Sequence, residues 1–427
     1  MPASEFEAVP AVETDSKPSP AGLVVMKFGG SSVADTERIL IVARRLAAAR
    51  ERGLRVVGVL SAMGDSTDEL FTLAREISPR PHERELDMLV SVGERISCAL
   101  AAMALLDLGH DAVSLTGSQA GIVTDTAHGK AKILEVRARR IHEALDRGAI
   151  VLVAGFQGVS TEAEVTTLGR GGSDTTAVAL ASALGAEACE IYTDVDGVFS
   201  ADPRVVRGAR KLDAVSYDEM LELSASGARV LQLRSVEFAR NHGVALHVRS
   251  SFSDDEGTWV TAEESGRMLE KAMISGIAHT VDETVYRVEG IPAAALLSAL
   301  ASSHVNVDTI LRVADEIVFS APSDDGETTS RTLDELGARW SADADLGKVS
   351  VVGAGMKSHP GVAATAFETL DANGIEPLVV STSPIKITCY VRRSEVDRAV
   401  AALHEAFGLG ELAPSSSEPQ GLARGRT

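Results

Sequence analysis

A chain of 427 residues is too long for one ordinary core and predicts two or three domains. Apolar residues make up 45% of it and aromatics 4%, and a formal net charge of −20 argues against nucleic acid or an anionic membrane as partner. The opening is acidic and contains Pro and Ser, without a basic start or an apolar stretch, and the most apolar helix, over 98–108, is too short to span a bilayer; the expectation is a cytoplasmic protein.

Residues 1–21 read as a disordered lead. LVVMKF (23–28) is a strand entering GGSS (29–32), and a helix follows over 34–50. That order of strand, glycine turn and helix is a phosphate-loop arrangement, although it matches neither GxGxxG nor GxxxxGK[ST]. A second strand over 56–60 ends in the small polar loop SAMGDSTD (61–68). One helix over 84–106 carries Gly93-Glu94-Arg95, and strands follow over 112–115 and 149–154, the latter ending at GFQG (155–158). Strands alternating with helices at this spacing imply a largely parallel sheet covered on both faces.

The most informative stretch is VTTLGRGGSDTTAVALASALG (165–185). Its glycine-rich turn brings backbone close to something, and a helix of small apolar residues begins at once. Ser173 or Asp174 therefore sits near a helix N-terminus, where free N–H groups and the macrodipole favour an anion. A short strand over 189–192 then runs into the acidic loop TDVDGV (193–198), closed by Asp202-Pro203-Arg204. TDVDG looks like half a calcium loop, but the EF-hand spacing and its closing glutamate are missing. Cys98, Cys189 and Cys389 lie in apolar runs with no metal-ligand spacing and read as buried thiols of a reducing compartment.

After Arg204 come helices over 217–227 and 229–241 and a strand over 244–248, with a domain boundary at 260–272. Beyond it lie two weakly similar units, which suggests an internal repeat. The first runs strand 284–289, helix 292–302, strands 304–311 and 316–321, and helix 328–336; the second runs strand 347–352, helix 361–372, strands 375–381 and 385–391, and helix 395–407. Residues 411–427 are a polar, disordered tail.

Taken together, KFGGSSV (27–33), SAMGDSTD (61–68), SVGERIS (91–97), TTLGRGGSDTTA (166–177), YTDVDGVFSADPR (192–204) and VGAGMKSHPGV (352–362) resemble the aspartate kinases of the amino-acid kinase superfamily. The resemblance covers residues 22–410 and implies a three-layer αβα kinase domain with a mainly parallel sheet over 22–265. Two ferredoxin-like α+β ACT domains are then expected over 272–342 and 343–410. It implies transfer of the γ-phosphoryl of ATP, with Mg²⁺, to the β-carboxylate of L-aspartate. A carboxylate is already ionised at neutral pH, so no general base is needed and catalysis falls to positioning and charge stabilisation.

Carried onto this sequence, the resemblance places Lys27 and the amides of Gly29 and Gly30 at the transferring phosphoryl group, with Asp174 orienting Lys27 or the Mg²⁺. Arg170 takes the substrate's α-carboxylate as a two-pronged fork, and Glu94 its ammonium group. Ser61 and Thr67 are lesser substrate contacts, and Ser173 lies near the γ-phosphate. Phe28, Ser31, Gly171 and Gly172 join the nucleotide site; Tyr192-Thr193 and Phe199-Ser200-Ala201-Asp202-Pro203 bracket the adenosine, followed by Arg204, with Lys211 reaching a phosphate. No residue is assigned as a metal ligand. Two rival readings are a glutamate-type acyl-phosphate kinase and a catalytically idle ACT-type amino-acid sensor.

The departures from the family pattern lie in the ACT units. Where feedback-inhibited members carry a G-x-S-D-x-P-G-like turn, this chain reads VEGIPA (288–293). The hairpin LRVADE (311–316) is short, and STSPI (381–385) has proline where an acidic residue is usual, while SHPGV (358–362) is kept. Lost N–H donors and a lost acid weaken the grip on an amino-acid effector, so lysine and threonine are expected to inhibit weakly or not at all. The ACT units are expected to pair subunits, as a homodimer or as a heteromer with a shorter chain made from an internal start.

Overall fold

The computed structural model describes residues 22–262, 273–354, 356, 359 and 361–410. The expected lead at 1–21, the tail at 411–427, most of the boundary segment (263–272), and Ser358 and Pro360 of the SHPGV turn lie outside the described residues.

The amino-terminal half is built on an eight-stranded sheet in the order Ala214–Ser216, Thr258–Thr261, Leu246–Ser250, Ala188–Thr193, Leu23–Phe28, Arg55–Leu60, Ile150–Ala154, Ala112–Leu115. All neighbours are parallel except the pair Leu246–Ser250 and Thr258–Thr261. Leu23–Phe28 is buried at every position, as its near-continuous apolar run requires of a central strand covered on both faces. Helix Thr36–Glu51 starts where the Asp35 side chain accepts the Arg38 N–H at 2.8 Å, and lays Ile39, Val42, Ala43 and Leu46 on one face of the sheet. Helix Gly172–Leu184 packs on the other face, where its small residues are buried in one continuous stretch from Gly172 to Ala181.

The run read as one helix over 84–106 is two, Glu83–Val90 and Val92–Asp107, meeting at Ser91. By length and composition alone the 25 residues Glu83–Asp107 are apolar enough to cross a membrane, which the shorter span 98–108 is not; half of the most apolar window is buried in this fold. A separate four-stranded sheet, Ile133–Val136, Ile122–Thr124, Gln157–Ser160 and Val165–Thr167, flanks the carboxyl edge of the main sheet. The three cysteines are free and buried.

The two carboxy-terminal units are each a four-stranded antiparallel sheet with two helices, and they are nested. The first is contiguous, with strands Ile310–Val313, Glu316–Pro322, Glu283–Glu289 and Arg339–Asp343 side by side. In the second, Met273–Thr280 lies beside Leu346–Ala354, so the strand preceding the first unit completes the sheet of the other. A division at 342/343 therefore misplaces that strand. The elements expected for the first unit end at helix 328–336 and lack Arg339–Asp343, the strand that closes the first sheet and runs across that division.

Candidate active site

The carboxyl ends of the parallel strands open into a cavity of about 820 Å³, the place where open α/β sheets put ligands. Lys27 is the one charge in its strand, 9% exposed, and its Nζ lies 2.5 Å from Asp174 Oδ1. The approach is off the line a hydrogen bond needs, so the contact is a charge pair. Asp174 comes from the first turn of helix Gly172–Leu184, whose N-terminus no side chain caps. The residue before it, Gly171, has φ +69°, and a Cβ there would lie 2.2 Å from Gln232 Cγ, so the turn admits glycine alone. Unsatisfied N–H groups and the helix dipole thus face the same cavity as Lys27.

Glu94 lines the far wall at 3% exposure. Burial pushes its carboxyl up to about 7, against the pull of the backbone N–H groups of Glu94 and Ala62 and of Arg95. Its Oε2 accepts no hydrogen bond from the described residues. Arg170 stands exposed on the cavity rim with no carboxylate partner among the described residues. A buried carboxylate and a free guanidinium facing one space suit a zwitterion with ammonium and carboxylate ends. Ser61, Thr67, Gly30, Gly172 and Ser173 line the same cavity.

The profile of the amino acid kinase family matches residues 22–250, and that of the ACT domain residues 349–407. The aspartokinase of Mycobacterium tuberculosis (strain H37Rv) is 53% identical over 406 residues, covering 91% of this chain and 96% of its own. The chain belongs to the aspartokinase family. It is an ATP-dependent kinase that acts on a carboxyl group. Among solved structures, E. coli aspartokinase III in complex with aspartate and ADP (R-state) has the same fold, with a TM-score of 0.80 and 24% identity over 90% of this chain and 99% of its own. The same E. coli enzyme in complex with lysine and aspartate (T-state) gives a TM-score of 0.71 and 25% identity over 90% and 99%.

Several residues expected at the nucleotide site do not line this cavity with their side chains. Phe28 and Tyr192 are partners in parallel register and stack at 4.7 Å on the helix Thr36–Glu51 side of the sheet, opposite to Lys27. Side chains alternate along a strand, so neighbours of Lys27 must face away from it. Tyr192 is 1% exposed, stacked on Phe28 with the Arg45 and Arg249 guanidinium groups 5.0 and 5.8 Å from its ring centre. Gly29 lines the cavity, but its amide donates to Tyr192 O at 3.3 Å rather than being free for a phosphate. Ser31 is exposed outside the cavity, and its carbonyl accepts from Arg38.

Ser200 and Ala201 are buried against the second ACT unit: Ile277 N–H donates to Ser200 O at 2.8 Å, and Ala201 sits among Ile277, Val349 and Leu403. Thr193 ends strand Ala188–Thr193; it, Asp202 and Lys211 are partly buried and Pro203 is exposed, and Arg204 folds back to grip Asp202 with both prongs at 2.6–3.1 Å.

Phe156 and Asp87 are among the cavity residues to which the sequence reading gave no role. Phe156 lies on the wall with φ +67°, an uncommon conformation for a bulky side chain. Asp87 is a 1% exposed carboxylate on helix Glu83–Val90. Its signal was an acid one turn from Val90 on the helix's apolar face, beside the exposed Glu83 and Glu85.

Proposed function

We propose that this aspartokinase transfers the γ-phosphoryl of ATP to the β-carboxylate of L-aspartate, giving 4-phospho-L-aspartate and ADP. One carboxylate oxygen attacks the γ-phosphorus, the bond to the bridging oxygen breaks, and ADP leaves with its electrons. The observation that carries the reading is the Lys27–Asp174 pair set at an uncapped helix N-terminus, in one cavity with Glu94 and Arg170. Lys27 offsets charge on the moving phosphoryl group and Asp174 holds its ammonium in place. Arg170 receives the α-carboxylate and Glu94 the α-ammonium, while Ser61, Thr67 and Ser173 complete the cradle.

Mg²⁺ belongs to the same reading. Magnesium sheds water reluctantly, so it would arrive on the nucleotide with most of its hydration, and Asp174 is the cavity carboxylate that would help hold it. There it would supply charge neutralisation between the phosphates.

Lysine and threonine feedback is weak or absent in this proposal. Helix Ala293–Ser302 begins at Pro292, with no side-chain cap and no N–H at that residue. The strands Ile310–Val313 and Glu316–Pro322 are joined by Ala314 and Asp315 alone. The ACT units then serve to pair subunits.

Trapping the acyl phosphate with hydroxylamine, with L-aspartate or L-glutamate as acceptor, tests the reaction. Hydroxamate from aspartate alone is expected. Product from glutamate instead would favour the glutamate-type kinase, and ATP left intact with both would favour an idle sensor. Strong synergistic inhibition by millimolar lysine and threonine would end the feedback proposal.

A further inference from the structure

Asp87 holds the cavity wall together more tightly than any residue the reaction uses. Its carboxylate accepts the Gly129 N–H at 3.1 and 3.2 Å and the Thr167 hydroxyl at 2.5 Å, and it faces His128 Nδ1 at 2.7 Å. A buried carboxylate without such partners would be strongly disfavoured; this one joins three separate segments of chain.

Those segments determine where Arg170 stands. Thr167 precedes it by three residues, and Ala131 N–H donates to Thr167 O at 2.9 Å. Arg234 ties the same two segments, donating to Leu168 O and Ala131 O at 2.9 Å each. The chain then enters Gly169, with φ +77°, Arg170 and Gly171, and no side-chain bond restrains the Arg170 guanidinium among the described residues. The turn's position is inherited from Thr167 and Leu168.

The opposite wall refers to the same residue. Ser91 N–H donates to Asp87 O at 3.1 Å, Ser91 O accepts from Gln157 Nε2 at 2.7 Å, and the helix that starts at Val92 carries Glu94. Asp87 is thus tied through its carboxylate to the segment that leads into Arg170, and through its helix and Ser91 to the one that carries Glu94.

We propose that Asp87, with His128 as its partner, is a positioning residue that sets the separation of Arg170 and Glu94 and thereby the enzyme's affinity for its amino-acid substrate. This rests on the assignment of Arg170 and Glu94 to that substrate. Asp87 is saturated by its own contacts, and a carboxylate acceptor needs no base, so neither metal binding nor proton transfer accounts for it.

The test is steady-state kinetics of Asp87→Asn, Thr167→Val and Arg170→Ala, and of Asp87→Asn combined with Arg170→Ala. Losing one charged hydrogen bond at Asp87 is expected to raise the KM for aspartate about tenfold, with kcat and the KM for ATP within about twofold. Thr167→Val, which keeps the side chain's shape, is expected to move the same constant in the same direction and covers the case in which Asp87→Asn folds poorly. In the Arg170→Ala background the Asp87→Asn effect is expected to vanish, because the two act on one contact; a general loosening of the fold would persist there. An unchanged aspartate KM in Arg170→Ala would overturn the site assignment and this inference with it. An impaired Arg170→Ala beside an unchanged Asp87→Asn and Thr167→Val would overturn the positioning role alone.

Discussion

Ser200 Oγ lies 2.9 Å from His404 Nε2, joining the loop after the catalytic strand Ala188–Thr193 to the last helix of the second ACT unit. The same hydroxyl donates to Leu409 O at 3.0 Å and accepts from Arg210 N–H at 2.9 Å. Burial, then Arg210, hold the His404 ring below the usual histidine range, which keeps it neutral and able to share one proton with Ser200. Replacing His404 with Ala removes one buried hydrogen bond, on the order of 1 kcal/mol. The expected result in initial-rate kinetics is a KM for ATP raised several-fold with the aspartate KM unchanged. Equal changes in both would show that the contact does not act on nucleotide binding.

Lys27→Met is expected to lower kcat by about 10²–10³, as loss of one preorganised charge does. It also leaves Asp174, 7% exposed, without its counter-charge. Rapid-quench measurement of ADP formation isolates the chemical step; a wild-type rate there would remove Lys27 from the reaction.

Glu94 gives a pH signature. With its carboxyl at about 7 in the free enzyme, it is largely neutral below that pH and largely charged above it. An arriving ammonium group favours the charged form, so binding releases a proton, and aspartate affinity falls by up to about tenfold per pH unit below 7. Glu94→Gln is expected to raise the KM and flatten this dependence. A wild-type KM that stays level from pH 8 to 6 would contradict the assignment.

His247 bears on stability instead. It is 6% exposed, stacked on Trp259 at 4.0 Å, and pushed down to about 4 by burial and then by Arg249. The unfolded chain binds this proton near pH 6.5 and the folded chain only near 4, so stability is full above 6.5 and drains as pH falls through that window, by at most about 3 kcal/mol. His247→Phe keeps the stack and removes the proton site. Urea midpoints between pH 7 and 4 are expected to fall less for the variant, and parallel curves would refute the account.

What the sequence made legible was local. Lys27 at the end of a buried strand, the GRGGSD turn opening a helix, and Glu94 on an apolar helix are each fixed by neighbours a few residues away, and the structure gathers all three around one cavity. That Phe28 and Tyr192 face away from Lys27 follows from the two-residue alternation of a strand, which motif membership does not register. The burial of Ser200 and Ala201 was not legible because it depends on a unit some two hundred residues later, as in the Ser200–His404 pair. The joint at Ser91 and the cluster at Asp87 depend likewise on distant partners, Gln157 and Thr167.

The nesting of the two ACT units constrains how this polypeptide can be shortened. A chain begun after Thr280 would keep the whole first sheet, but its strand Leu346–Ala354 would have a bare flank where Met273–Thr280 belongs. Exposed backbone donors and acceptors along that flank would invite a strand from another molecule. A start codon that yields a self-contained regulatory fragment must therefore lie upstream of residue 273, and one placed later makes a piece that is finished only by borrowing.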